Sequence, residues 1–373
     1  MLKGKKVVVI TTTDNMIWQF LIPHIKRLQE LGNEVECVCA KTGFWFDELK
    51  DKYGFVVHDI QFTRNPISIR NIKGFKELVK LQKEKQYNLV YCQQPVGGVM
   101  GRKLAKKFKL PCIYTAHGFH FFKGNNFLKN FIFKTIEKHY SRYTTALVTI
   151  NEEDYLASQK FYAKRTYKIN GIGVDLSKYS VDKDFDRDKF RETLGFKKDD
   201  FVVISIGELN KNKNTYRLLE VMKNIDDNNI KYIVCGQGPL KEKYVEYIET
   251  NNLNDRIKMV GFRKDIPELL SASDVFIMPS YREGLSKSMM EAMSIGLPII
   301  ASKIRGNVDL VTDGENGSLC GIEDNAGYQE KIVALAQDKS LQNKFSKANK
   351  EKIKNYSIQK VIEQLDKVYE EME

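Results

Sequence analysis

Short apolar runs alternate with amphipathic stretches along most of the chain, and this alternation limits the fold more than any other feature. Val7 to Thr11, Glu34 to Ala40, Phe55 to Ile60, Leu89 to Cys92, Cys112 to Thr115, Leu147 to Asn151 and Tyr167 to Ile169 read as strands. Met16 to Leu31, Ile72 to Gln86 and Gly97 to Phe108 carry apolar residues at helical spacing between them. The pattern restarts at Phe201 to Gly207 and continues through Lys231 to Cys235, Ile257 to Val260, Val275 to Met278 and Ile299 to Ser302. Strands and helices alternating at these lengths predict an α/β protein with parallel, doubly wound sheets. A length of 373 residues suits two such domains. The boundary is expected between about Asp175 and Phe201, across the charged run Asp182 to Arg191.

Several classes fall away on composition and motif. No apolar run approaches the roughly 18 residues that cross a bilayer. Lys3, Lys5 and Lys6 precede Val7-Val8-Val9-Ile10, which is too short for a signal sequence and reads as a first strand. The expected location is therefore cytoplasmic. The six cysteines are dispersed in strand-like runs without zinc-like spacing, so they read as buried reduced thiols, and no metal site is expected. The loop after the first strand, TTTDNMIWQF, lacks G-x-G-x-x-G, against a dinucleotide site. A net charge of +12 asks for an anionic partner without naming it.

The stretch PSYREGLSKSMMEAMSIGLPIIAS, Pro279 to Ser302, carries the most chemistry. A polar turn follows a buried strand, Ser286 suits a helix N-cap, and Gly296 suits the position past the helix end. A helix N-terminus is thus delivered to the carboxyl end of a strand, where open α/β sheets place phosphate-bearing ligands. Glu283 and Glu291 flank it with seven residues between them. The same spacing would suit an ordinary strand–loop–helix unit with two solvated acids.

These residues resemble the E-x7-E motif of retaining family-4 glycosyltransferases, with Gly296-Leu297-Pro298 fitting the same pattern. The resemblance covers most of the chain and is densest from Phe201 to Gly317. It implies the GT-B fold, two Rossmann-like domains facing across a cleft: 1–176 on the acceptor side, 177–356 for the nucleotide sugar, and a helix over 357–373 returning to the first domain. It further implies that Glu283 points at the donor sugar and Glu291 at the ribose. Amides around Leu285, Ser286, Lys287, Ser288 and Met289 would hold the diphosphate without a metal. Lys213 matches the family's phosphate-gripping lysine after Gly207. Glu208 stands where that family has arginine, so one expected clamp is either missing or supplied by Lys211 or Arg263, and a nearby lysine could neutralise Glu208. Gly238 in Gly236-Gln237-Gly238-Pro239 would lie beside the nucleotide, and Phe262 and Arg263 near the base. Gly306 would adjoin the donor sugar, with Asp309 where glutamate is usual. His117 in Ala116-His117-Gly118-Phe119-His120 would line the cleft beside that sugar, with His120 and Asn15 as further sugar-side candidates.

Arg102 to Arg142 holds ten Lys or Arg residues against one acid, Glu137, and six phenylalanines from Phe119 to Phe133. Basic residues interleaved with aromatics suit a helix at an anionic membrane surface; a packed helix with solvated cations is the plainer alternative. With the resemblance, the expected activity is transfer of a sugar, N-acetylated by expectation, from a UDP-sugar to a lipid-linked saccharide. Retention of configuration is implied, as is work at the inner membrane face in bacterial capsule or exopolysaccharide synthesis. The competing readings are a GT-B epimerase or hydrolase and a basic nucleic-acid-binding protein. No nucleic-acid module is visible, and no oligomeric state follows.

Overall fold

The computed structural model describes residues 2–43, 45–179 and 185–372. The chain divides into two compact units, Met1–Gly173 with Ile358–Glu373, and Val174–Ser357.

The first unit holds one parallel sheet of β1 (Lys6–Thr13), β2 (Glu34–Ala40), β3 (Val56–Asp59), β4 (Leu89–Gln93), β5 (Cys112–Ala116), β6 (Ala146–Thr149) and β7 (Arg165–Lys168). Its order is β3-β2-β1-β4-β5-β6-β7. The crossovers carry α1 (Asp14–Met16), α2 (Ile22–Glu30), α3 (Trp45–Asp51), α4 (Ile69–Lys85), α5 (Pro95–Phe108), α6 (Phe127–Ser141) and α7 (Glu152–Ser158). Val7 to Ile10 of β1 are fully buried because helices cover both faces of the sheet. The single helix expected from Met16 to Leu31 is instead interrupted: α1 gives way to a π-helical turn at Ile17–Leu21 before α2 begins. Pro23, in the first turn of α2, has no N–H and its ring crowds the carbonyl four residues back, so a regular ladder cannot run through it.

The second unit repeats the plan. Its sheet, β10-β9-β8-β11-β12-β13, contains β8 (Phe201–Ile206), β9 (Ile230–Cys235), β10 (Ile257–Gly261), β11 (Val275–Met278), β12 (Ile299–Ser302) and β13 (Gly317–Cys320). Its helices are α8 (Arg187–Thr193), α9 (Thr215–Lys223), α10 (Lys241–Thr250), α11 (Ile266–Ser271), α12 (Lys287–Ile295), α13 (Asn307–Leu310), α14 (Asn325–Gln337) and α15 (Lys339–Lys352). Alternate strand residues feed two cores, Val203, Tyr232 and Ile277 on one face, Ile204, Ile233 and Phe276 on the other. Of the charged run expected at the boundary, residues 182–184 lie outside the described residues. Its remainder is no linker: Arg187 and Arg191 of α8 reach Asp274 at 2.7 and 2.6 Å, and Arg191 is almost fully buried. Charge here makes a tether rather than a solvated spacer.

α16 (Ile358–Glu370) belongs to the first unit. The Arg27 guanidinium of α2 grips Asp366 through Nε (3.0 Å) and Nη2 (2.7 Å). Tyr369 meets Tyr91 of β4 edge-on at 6.4 Å between ring centroids.

The basic segment separates into two parts. Phe119 and Phe121 are core residues and stack at 4.8 Å. Phe127, Leu128, Phe131 and Ile132 on α6 are exposed. The opposite side of α6 is fastened by Glu137, which takes a 2.8 Å bond from the buried Arg102 of α5 and one of 3.3 Å from the Tyr114 hydroxyl. Arg102 also donates to the Gly98 carbonyl and lies 3.9 Å over the Tyr114 ring. Truncating one partner of such a pair strands a buried charge. Glu137→Ala should therefore cost about 3–5 kcal/mol by urea unfolding, whereas Arg102→Met with Glu137→Leu should recover most of it; equal losses in both variants would remove the pair from this role.

Candidate functional site

In each sheet the winding reverses once, between β1 and β4 in the first unit and between β8 and β11 in the second. At such a reversal, consecutive crossovers leave for opposite faces and open a crevice at the carboxyl ends of two neighbouring strands. The sequence candidates collect at these two places.

In the second unit, the loops after β8 and β11 are laced together. Tyr281 N donates to the Asn212 carbonyl at 2.8 Å, Asn212 Nδ2 to the Arg282 carbonyl at 2.9 Å, and Asn214 Nδ2 to the Pro279 carbonyl at 3.1 Å. This brings Lys213 Nζ to 2.8 Å from Glu283 Oε1, so the expected phosphate lysine and the expected sugar-side acid form one ion pair, both largely shielded. Gly207 is packed against the Lys213 side chain. Gly238 presses on the backbone of Leu209, where a side chain would collide, and so seats the turn after β9 beside this loop.

α12 begins at the same crevice. Ser286 caps it by accepting from Met289 N at 3.3 Å, and Gly296 closes it at φ +92°. Ser288 Oγ donates to the Ile206 carbonyl at the end of β8, 3.2 Å away. Lys287 and Ser288 thus sit in the first turn, where helix amides carry partial positive charge. Met289, Met290 and Met293 anchor the helix in the core below, and Leu285 packs against the same core. Gly306 has φ +80° and lies on the Gly284 carbonyl, a contact that excludes any Cβ. Its neighbour Arg305 donates to the Glu283 carbonyl at 3.2 Å.

Glu291, one turn into α12, is almost fully buried. Burial pushes its carboxyl above the usual glutamate range, against the pull of Lys287, 3.9 Å away, and a hydrogen bond with Tyr179. Burial pushes the Lys287 ammonium down in turn. The pair is held in a low-dielectric pocket, where an added hydroxyl partner is favoured.

Other candidates behave differently. Arg263 is taken by Asp265 through both guanidinium ends, Nε at 2.8 Å. In the structure its guanidinium is therefore paired with Asp265. Glu208 is exposed and accepts from Asn210 Nδ2 at 2.9 Å, with no lysine paired to it among the described residues. Lys211 is exposed beside it, and Phe262 stands out from the surface after β10.

In the first unit, β5 ends at Ala116 and His117 Nε2 donates to Gln93 Oε1 at 2.7 Å. Burial, helped by His24, pushes the His117 imidazole down to about 3, so the ring is neutral at working pH. His120 packs against Phe133 at 5.3 Å between ring centroids. Asn15 lies at the turn after β1, where its amide N–H bonds to Asp14. Three contributors escaped the sequence reading: Gln93, Tyr179 and Arg305. Only Arg305 left a local signal, its place directly before Gly306.

Two family patterns match. Residues 186–352 match glycosyl transferases group 1, and residues 6–151 match the glycosyl transferase 4-like family. The Bacillus subtilis (strain 168) protein EpsD is 31% identical over 98% of this chain and 96% of its own length. The chain belongs to the group 1 glycosyl transferases. A second relative of this glycosyltransferase is the Escherichia coli UDP-Gal:alpha-D-GlcNAc-diphosphoundecaprenol alpha-1,3-galactosyltransferase, 32% identical over 93% of this chain and 92% of that one. Among solved structures, Anabaena Alr3699/HepE in complex with UDP and glucose superposes with a TM-score of 0.82 at 19% identity, over 99% of this chain and 100% of that one. The two sheets of this glycosyltransferase have the GT-B fold.

His24 and His117 both resist protonation in the folded chain, His24 down to about 4 because it is buried, against the opposing pull of its bond to the Ile172 carbonyl. The unfolded chain binds both protons near pH 6.5. Folded-state stability should be full above pH 6.5 and decline as pH falls below it. His117→Gln should flatten that decline between pH 6.5 and 4, read as the urea midpoint against pH. An unchanged slope would mean that the His117 environment is wetter than described.

Proposed function

We propose that this glycosyltransferase moves a hexosyl or N-acetylhexosyl group from a UDP-linked donor to a lipid-linked saccharide, with retention and without a metal ion, in cell-surface polysaccharide synthesis. The observation that carries the reading is the crevice between β8 and β11. A helix N-terminus, the Lys213–Glu283 pair and the buried Glu291 converge on it within one unit. The E. coli relative, by its name, takes UDP-Gal and an acceptor on diphosphoundecaprenol, which supports this donor and acceptor class.

In this reading Glu291 receives the ribose hydroxyls. The Met289 amide is spent on the Ser286 cap, so the amides ahead of it, at Lys287 and Ser288, face the diphosphate, with Lys213 as its cation. The bond from the anomeric carbon to the diphosphate breaks with its electron pair leaving on the phosphate oxygen. The acceptor hydroxyl oxygen bonds to that carbon from the same face, and its proton passes to the departing phosphate. Glu283, tied to Lys213, orients sugar hydroxyls and stabilises positive charge near the anomeric carbon rather than attacking it. Neutral His117 serves as a hydrogen-bonding wall rather than a base.

Glu291→Ala should weaken UDP and UDP-sugar binding about tenfold or more by calorimetry, the order expected for losing a buried hydrogen-bonded carboxylate. An unchanged affinity would remove Glu291 from the donor site.

The anionic membrane surface enters through the first unit. Among the described residues no helix is long and apolar enough to cross a membrane. Yet Phe127 is 85% exposed and Ile67 90%, with Leu128, Phe131 and Ile69 also well exposed. Right-handed crossovers put α4, α5 and α6 on one face of the sheet, with α5 packed between the other two. Lys123, Lys129 and Lys134 flank one apolar patch and Arg64, Arg70 and Lys73 the other. Apolar side chains ringed by lysines and arginines suit an anionic lipid interface. The protein should float with phosphatidylglycerol vesicles and not with phosphatidylcholine alone, and Phe127→Ser with Phe131→Ser should abolish flotation while leaving UDP affinity intact. Flotation that survives those changes would move the contact elsewhere.

A further inference from the structure

At the crevice of the first unit, the chain spends both of its tryptophans on one contact. Trp18, in the π-helical turn after β1, and Trp45, at the start of α3, lie with ring centroids 3.8 Å apart and planes tilted by 38°. Both are half-buried. The turn that carries Trp18 is rigidly held: the buried Asp14 carboxylate accepts from Asn15 N at 2.8 Å, Thr42 N at 3.0 Å and Gly43 N at 3.3 Å, and from the Thr42 hydroxyl. That network ties the β1 turn to the loop leading towards Trp45.

At the ends of β1 and its neighbour β4, polar side-chain atoms lie buried without hydrogen-bond partners. Thr13 Oγ1, Asn15 Oδ1 and Trp18 Nε1 come from this turn, and Gln93 Nε2 comes from the neighbouring strand β4. Gln93 is the residue that holds His117, and Thr12 N bonds Gln94 Oε1 at 3.0 Å, so the two strand ends are joined. A buried, unmatched donor or acceptor costs about 1–3 kcal/mol, and folded chains rarely leave several in one short turn. Two of these atoms can only donate, Trp18 Nε1 and Gln93 Nε2, and one can only accept, Asn15 Oδ1. A ligand that satisfies them must offer both functions on a compact frame next to an aromatic surface. A phosphate accepts but scarcely donates, and an apolar chain does neither. A sugar ring offers hydroxyls that do both, and C–H faces that pack on indole.

We infer that the Trp18–Trp45 pair, with Asn15 and Gln93, forms the seat of the acceptor's saccharide ring and sets which acceptor is used. This rests on the glycosyltransferase reading above, and it adds the residues that recognise the acceptor. Trp18 and Asn15 contact the ring, and Asp14 positions them.

Because these are the only tryptophans of the chain, intrinsic indole emission reports this place and no other. The full-length protein is titrated with farnesyl-diphospho-N-acetylglucosamine, with free farnesyl diphosphate, and with UDP. The expected result is a saturable shift in emission with the glycosylated compound only, lost in Asn15→Ala. In steady-state assays Trp18→Phe should raise KM for the glycosylated acceptor about tenfold, the order of one hydrogen bond plus lost ring contact, while KM for the UDP-sugar stays within twofold. Trp45→Phe gives a second variant should Trp18→Phe fold poorly. Emission unmoved by an acceptor that is nonetheless turned over, or moved equally by farnesyl diphosphate or UDP, would overturn the seat and leave the transferase reading standing. Absence of transfer from any UDP-sugar to any acceptor would sink the transferase reading instead, and the emission titration would still decide the seat.

Discussion

A parallel sheet buried on both faces can open to solvent only where its winding changes direction, and this protein uses that constraint twice. Between β8 and β11 the crossovers depart to opposite faces, so the ends of two adjacent strands carry loops with no helix lying over them. Those loops must satisfy their own backbone groups, and they do so on each other through Asn212, Asn214 and Tyr281. The stiffness of that lacing is what allows Lys213 and Glu283 to be held face to face. The tight contact of Gly306 on Gly284 belongs to the same arrangement: the loop after β12 reaches the crevice because one residue has no side chain.

The two crevices differ in electrical character. That of the second unit concentrates ionisable groups in opposite-sign pairs: Lys213 with Glu283, Lys287 with Glu291. Such pairs are costly to bury and are retained where a charged ligand compensates. The crevice of the first unit is mostly neutral in its polar groups, with His117, the amide of Gln93 and two indoles, and its one buried carboxylate, Asp14, is taken up by the turn itself. In the proposed reading a diphosphate and a sugar hydroxyl make these opposite demands, and one sheet plan would serve both because only the loops differ.

Much of this was legible in advance. Strands covered on both faces must be apolar throughout, and for that reason β1, β8 and β11 stand out as unbroken runs. The Glu283–Glu291 spacing around a capped helix marks the crevice through local chemistry alone. Other features depend on partners distant in the chain. Charge between Asp182 and Arg191 marks the region of the expected boundary, but that Asp274, more than eighty residues on, holds Arg187 and Arg191 shows only in the fold. The Arg263–Asp265 pair, two residues apart, likewise shows only in the fold. The helix expected over Met16 to Leu31 missed the local effect of Pro23, and with it the turn that presents Trp18. Tyr179 gives no pattern at all, since its role exists only through Glu291.

The return of α16 to the first unit has a consequence for biogenesis. Arg27, Asn170 and Tyr91 find Asp366, Gln364 and Tyr369 only after the whole of Val174–Ser357 has been translated. On the ribosome the later-made unit can close before the earlier-made one, which waits with the α2 side of its sheet uncovered. Nascent chains of this glycosyltransferase therefore hold that surface open until the last residues of α16 are made.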